Sequence, residues 1–182
     1  WGHASSLKAI ANDTLKYYLS NKRSEIAFNS TYNSGNNGIN KHYTLDKDKV
    51  TKEGYLEQKV DFSDRSNLTW NSSGWGQIIG DNITIGQGFS FVSESFTKDF
   101  ELNGSFHGQF NVTINKKDFD ATVLLFEQTK EGKFFAVTLP YVGRSSFVRN
   151  PEKRNLLTPN VKTSIPFNKA RMTSKKTVSY TH

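Results

Sequence analysis

The sequence predicts an all-β domain of antiparallel sheets, a sandwich, jelly-roll or barrel, on three observations. Residues 102–115 alternate without a slip: Leu102, Gly104, Phe106, Gly108, Phe110, Val112 and Ile114 fall on one face, and Asn103, Ser105, His107, Gln109, Asn111, Thr113 and Asn115 on the other. A period of two is that of a strand, and one apolar face against one polar face is that of an antiparallel sheet with one side in water. The chain is only 35% hydrophobic yet holds 14 Phe, 7 Tyr and 3 Trp, so its core has to be built from aromatic and β-branched residues, which favour strands. Seven or more short apolar stretches, separated by Gly, Pro or Lys turns, recur along the chain with no helix of respectable length among them.

Taken in order, residues 1–13 read as an irregular segment or a short helical turn, and LKYYLS at 15–20 as a strand in which Leu15, Tyr17 and Leu19 share a face. Residues 30–52 turn to Asn, Gly, Ser and Lys, with NSGNNG at 33–38. They are expected to be loop without a core element, because Asn and Gly tolerate left-handed backbone angles. GYLEQKVDF at 54–62 reads as a strand, and SDRSNLTWNSSGWG at 63–76 as a polar loop carrying Trp70 and Trp75. Further strands are expected at FSFVS (89–93), ATVLLFEQ (121–128), KFFAVTL (133–139), SSFV (145–148) and VKTSIPF (161–167).

Charge and composition exclude several function classes. Of 24 Lys and Arg against 17 Asp and Glu, a net of +7, eight basic residues lie between Arg149 and Lys176 with Glu152 as their only acidic companion. LLTP and SIPF interrupt this stretch with side chains that seek burial, and no RNA-binding aromatic motif accompanies it. It is read as a docking face toward an acidic neighbouring domain rather than as a nucleic-acid footprint. The absence of Cys removes disulfides, thiol nucleophiles and Cys-ligated zinc. The longest apolar run, around residues 123–126, is far short of the roughly 20 residues of a membrane helix, so no membrane partner is expected. The opening WGHASSLKAI has neither a charged n-region nor an apolar h-region and no initiator Met, which reads as a start inside a longer protein and leaves localisation unencoded.

The residues that carry chemistry are few. No G-x-S-x-G nucleophile elbow occurs, and His3, His42, His107 and His182 are far apart, with no pair at metal-ligating helical spacing, so no catalytic residue and no metal site are assigned. Asp118 and Asp120, at i and i+2 on the way into a strand, point the same way; that spacing suits a calcium ligand pair, an acid/base pair or structural carboxylates. Calcium needs six or more oxygens and Lys116 and Lys117 stand next door, which favours structural carboxylates paired with an arginine. Trp70 and Trp75 fit either a plug at the end of a core or a sugar-stacking platform. Seven N-x-S/T sequons, at Asn12, Asn29, Asn67, Asn71, Asn82, Asn103 and Asn111, are in part the statistical product of an Asn-, Ser- and Thr-rich chain, and glycans at Asn103 and Asn111 would crowd one sheet face.

A set of motifs in residues 103–171 follows one family's order: a Gly-x-Phe-x-Gly strand at 104–108, Asn-Lys-Lys-Asp-x-Asp at 115–120, Leu-Phe-Glu at 125–127 before a Gly-Lys hairpin, Gly-Arg-Ser-Ser-Phe at 143–147 and Arg-x-Leu-Leu-Thr-Pro at 154–159. In these the chain resembles the C-terminal domain of the X-Pro dipeptidyl-peptidase and cocaine-esterase family of bacterial serine hydrolases. VDFSDRS at 60–66 and FSFVSESF at 89–96 resemble that domain's first strands, and Trp1, His3 and Leu7 its junction with the preceding domain. The resemblance implies a galactose-binding-domain-like jelly-roll β-sandwich over residues 14–182, with 1–13 as junction, no cofactor and no catalysis of its own. The triad would lie in an α/β-hydrolase domain of the same parent protein that cleaves esters, amides or X-Pro peptides. This domain would pack on that partner and support homo-oligomers, in a bacterial cytoplasm or periplasm. The family continues past Lys175 with further strands where this chain reads KKTVSYTH, so an unfinished sheet edge is expected, with either strand exchange between copies or poor order after about Lys175, and Pro159-Asn160 stands where the family prefers Pro-Gly. Asp118 or Asp120 is expected to form a partly buried pair with Arg144 that holds strands in register. The competing reading, from another class, is a stand-alone carbohydrate-binding module using Trp70 and Trp75.

Overall fold

The computed structural model describes residues 5–6, 9, 13–26, 30–31, 42–60, 63, 79–81, 83–84, 88–98, 100–137 and 141–177, and the statements below concern these. The chain is all-β. Every element bounded within the described residues is a strand: β1 Tyr18–Arg23, β2 Ser30–Thr31, β3 His42–Asp46, β4 Ile79–Gly80, β5 Ile83–Thr84, β6 Ser90–Val92, β7 Phe100–Val112, β8 Asp120–Val123, β9 Phe126–Gln128, β10 Phe134–Ala136, β11 Tyr141–Arg144 and β12 Thr163–Thr177. None of the described residues forms a helix long and apolar enough to cross a membrane. The strands belong to two compact units, one comprising Trp1–Asn12, Asp99–Glu127 and Ala136–Val178, the other Asp13–Lys98, Gln128–Phe135 and Ser179–His182.

In the first unit, β7 and β12 form a long antiparallel ladder from Val112↔Thr163 to Phe100↔Thr177, with irregularities on either side of Met172. The alternation read from the sequence is the alternation observed: Phe106, Gly108, Phe110 and Val112 are partly buried while Ser105, His107, Gln109 and Asn111 are exposed. Gly108 lies directly opposite Phe167, whose ring occupies the space a side chain would need; a Cβ on Gly108 would meet its Cζ at 2.6 Å. The ring stacks on Phe110 at 4.6 Å between centroids and meets Phe106 and Tyr141 at 6.1 and 6.0 Å. Ile165, opposite Phe110, is 3% exposed. Beside this ladder, β8 and β11 pair antiparallel from Tyr141↔Val123 to Arg144↔Asp120.

In the second unit, β3 pairs antiparallel with β1 and parallel with β6. Tyr43 is its buried centre, packed against Phe89 and Phe91, each 5.9 Å away, with the Arg23 guanidinium 4.7 Å from its ring, a cation–π contact. β4 pairs antiparallel with β10, where Phe134 is buried, and β2 pairs parallel with β5. The turn before β10 closes through Thr129 and Lys133, and Gly132, at φ 77°, takes the left-handed conformation that glycine adopts without steric cost.

Several expectations are corrected. The polar stretch 30–52 contains β3, and Tyr43 in it is a core residue: Tyr-Thr-Leu at 43–45 is good strand sequence that the Asn- and Gly-rich surroundings mask. Residues 54–60 form no strand, and Tyr55 is 85% exposed. Neither of their alternate faces, Tyr-Glu-Lys or Leu-Gln-Val, is apolar throughout, so no sheet is rewarded for covering one. The first strand starts at Tyr18 rather than Leu15, and Leu15 and Leu19 are both exposed. Residues 145–147 are a turn rather than a strand, closed by the Phe147 amide on the Arg144 carbonyl. The run 121–128 is broken at Leu124–Leu125, where the Leu125 carbonyl accepts the Val137 amide. Two pairings, β3 with β6 and β2 with β5, are parallel, which the long intervening segments allow, since a parallel pair needs a crossover of about a dozen residues or more. The strand expected to end at Phe167 runs on through the basic stretch to Thr177, in register with β7, so Lys175 is paired opposite Leu102.

Candidate functional site

Asp118 lies on the approach to β8 and collects the loops of the first unit. Its Oδ1 accepts the Ser145 hydroxyl at 2.6 Å and the Ser146 amide at 3.0 Å. Oδ2 accepts the Ser146 hydroxyl at 2.7 Å and an Nη of Arg154 at 3.2 Å. Backbone bonds knit the same three segments: the Ser145 amide donates to the Phe119 carbonyl, Asn155 to Ser146, Leu157 to Lys117 and Asn160 to Ile114. Asn160, at φ 63°, takes a left-handed turn position, a role Asn serves because its short polar side chain tolerates it. Ser146 is 1% exposed and the Asp118 side chain 18%. Burial pushes the Asp118 carboxyl up, but the bonds from Ser145, Ser146 and Arg154 outweigh it and hold it well below the ordinary carboxylate range. Both serine hydroxyls donate to a carboxylate whose pKa is held low, which makes it a weak base toward them.

Asp120 is brought onto Arg144, its register partner across β8 and β11, by a two-pronged pair of 2.7 and 3.0 Å. The Arg144 hydrogen bonds hold the Asp120 carboxyl low, and the same contact holds the guanidinium proton more tightly. The expectation that this pair is partly buried is corrected, since its side chains are 55% and 54% exposed. Both residues lie on the wet face of a two-stranded ladder, where water and salt screen the attraction. Arg144→Ala is therefore expected to shift the melting temperature by less than about 2 °C, measured by circular dichroism; a much larger fall would mean that the pair carries strand register after all.

The buried imidazole is His42, on β3 of the second unit and 5% exposed. Its Nδ1 is hydrogen-bonded to the hydroxyl of Ser90, its register partner on β6. Burial first, and then the Arg23 charge, push its pKa below the usual 6.5. The neutral form is thus favoured in the folded state, and the unfolded chain takes up a proton first as pH falls below 6.5. Stability is expected to decline from about pH 6.5 downward and to level off once the folded imidazole also charges, and His42→Gln is expected to flatten that part of the stability–pH curve. Urea melts between pH 7 and 5 test this, and a wild-type slope unchanged by the substitution counts against it.

His107 is exposed on the polar face of β7. Trp70, Trp75, Trp1, His3, Leu7 and His182 lie outside the described residues. Among the described residues no group of three or more His, Asp or Glu side chains is placed to hold a metal ion. The serines at 145 and 146 and Arg154 were missed as site residues because no periodicity marks them; only their place in the motif series pointed there. No family profile, no curated protein and no solved structure matches the chain.

Proposed function

We propose that this chain is a non-catalytic β-sandwich domain, of jelly-roll type, belonging to a serine acyl hydrolase of the X-Pro dipeptidyl-peptidase and cocaine-esterase kind, packing on that enzyme's α/β-hydrolase domain and supporting its oligomers. The observation that carries the reading is that three separate motifs, Asn-Lys-Lys-Asp-x-Asp, Gly-Arg-Ser-Ser-Phe and Arg-x-Leu-Leu-Thr-Pro, meet at one carboxylate, that of Asp118. The register of β8 with β11 brings the first two motifs side by side, and Arg154 adds the third. A docking role is further supported by apolar side chains left in water on and beside β8 and β11: Val142 is 66% exposed, Leu124 48% and Phe126 36%.

The test is labelling with a fluorophosphonate probe, applied to the chain alone and to the polypeptide encoded by its whole reading frame. The chain alone is expected to stay unlabelled, and the longer polypeptide to be labelled on a serine in an α/β-hydrolase domain outside residues 1–182. A reading frame without such a domain, or a label on a serine of this chain, overturns the proposal. So does saturable glycan binding by the chain alone that is lost in Trp75→Ala, which would establish the carbohydrate-binding module instead.

A further inference from the structure

Beside the Ser145–Ser146 turn, the first unit holds a cleft of about 210 Å³. Its walls differ in character. Leu156, Leu157 and the buried Ile165 supply its apolar lining, beside hydroxyl side chains of the Ser145–Ser146 turn and of β12. Arg149 and Asn155 also line the cleft. One Nη of Arg149 donates to the Ser164 carbonyl at 2.7 Å. A guanidinium has five N–H donors, and among the described residues no carboxylate pairs with the remaining ones.

The surroundings set the sign of the ligand. The segments that the Asp118 centre ties together, 113–118 and 145–164, carry Lys116, Lys117, Arg149, Lys153, Arg154 and Lys162 against only Asp118 and Glu152. The Asp118 charge is already engaged by Arg154 and two hydroxyls. A small anion entering here meets a positive field and a guanidinium with donors to spare, which suits a planar carboxylate. The leucine and isoleucine lining calls for a short branched aliphatic body behind that charge.

We propose that this cleft is a binding site for a small aliphatic carboxylate, its charge on Arg149 and its body against Leu156, Leu157 and Ile165. The site does not depend on the enzyme reading of the preceding section. The test is a titration of the 182-residue chain, labelled with nitrogen-15, with 3-methylbutyrate, followed through the backbone amide resonances of Ser146, Asn155 and Thr158. Saturable shifts at these amides are expected. 3-Methylbutanol, with the same body and no charge, and inorganic phosphate, with charge and no body, are each expected to bind about tenfold more weakly or worse. Arg149→Gln should weaken 3-methylbutyrate by about tenfold and Arg149→Lys by less, since lysine keeps the charge and loses the fork. Absence of saturation, equal binding of the alcohol, or unchanged binding in Arg149→Gln overturns the proposal. Because the comparison of the three probes uses the wild-type chain, it decides the matter even if a variant folds poorly.

Discussion

Replacing Asp118 with alanine is expected to cost about 3 kcal/mol of folding stability, a fall of roughly 6–12 °C in Tm for a chain of this length. The loss arises on the donor side. The Ser146 amide and hydroxyl both give their protons to Asp118, and Ser146 is 1% exposed, so water cannot replace the acceptor. Each buried donor left unmatched costs about 1–3 kcal/mol. Arg154, 57% exposed, turns out into solvent and adds little. Asp118→Asn, which keeps the shape and an acceptor oxygen, should cost less. The low carboxyl pKa adds a signature in acid. Its stabilisation is fully present above the ordinary 3.8 and is lost as pH falls through the lower folded-state value, so wild type and Asp118→Asn should converge in stability below about pH 3.8. An alanine variant that melts within 2 °C of wild type at pH 7, or a gap to the asparagine variant that stays constant into acid, would remove Asp118 from the centre of the unit.

Phe167→Ala is the second large effect, about 3 kcal/mol, because it deletes the ring that stacks on Phe110 and covers Gly108. Gly108→Ala should cost about 1–2 kcal/mol on its own, since the new methyl group meets the Phe167 ring within 3 Å and neighbouring rings on Phe106, Phe110 and Tyr141 limit where it can move. The two changes are expected to be strongly non-additive. With the ring gone, the methyl group fills part of the space it left, and Gly108→Ala becomes neutral or stabilising in the Phe167→Ala background. A double-mutant cycle by urea denaturation measures this directly, and additive costs would show that the ring does not rest on Gly108.

How much of this was readable beforehand follows the physics of each element. β7 was legible because a single ladder with one face in water leaves period two in the sequence, and nothing along residues 102–112 interrupts it. The pairing of Asp120 with Arg144 was legible as a meeting of opposite charges, but its exposure was not, because exposure depends on which face the neighbouring strands leave uncovered. The Asp118 centre was half legible. The motif series marked Asp118, while the role of Ser145 and Ser146 was hidden: two serines in a short apolar stretch read as strand, and only a carboxylate from a distant loop makes a turn the better place for them. β3 was lost to averaging, three good strand residues inside a polar region. The continuation of β12 past Phe167 was illegible locally, since Lys169, Lys175 and Lys176 have poor strand preference and are held extended by β7 alongside.

The ladder between β7 and β12 also fixes an order of events in time. Val112 meets Thr163 and Phe100 meets Thr177, so no short turn can nucleate this pairing, and strands joined across such separations form slowly. The Asp118 carboxylate bridges to residues 27, 28 and 36 positions further along, all inside the intervening chain. Once those bridges close, the start of β12 is tethered a few residues beyond Arg154 and no longer searches at the end of a free loop. That tether favours zipping from the Val112–Thr163 end outward, with the basic part of the strand following.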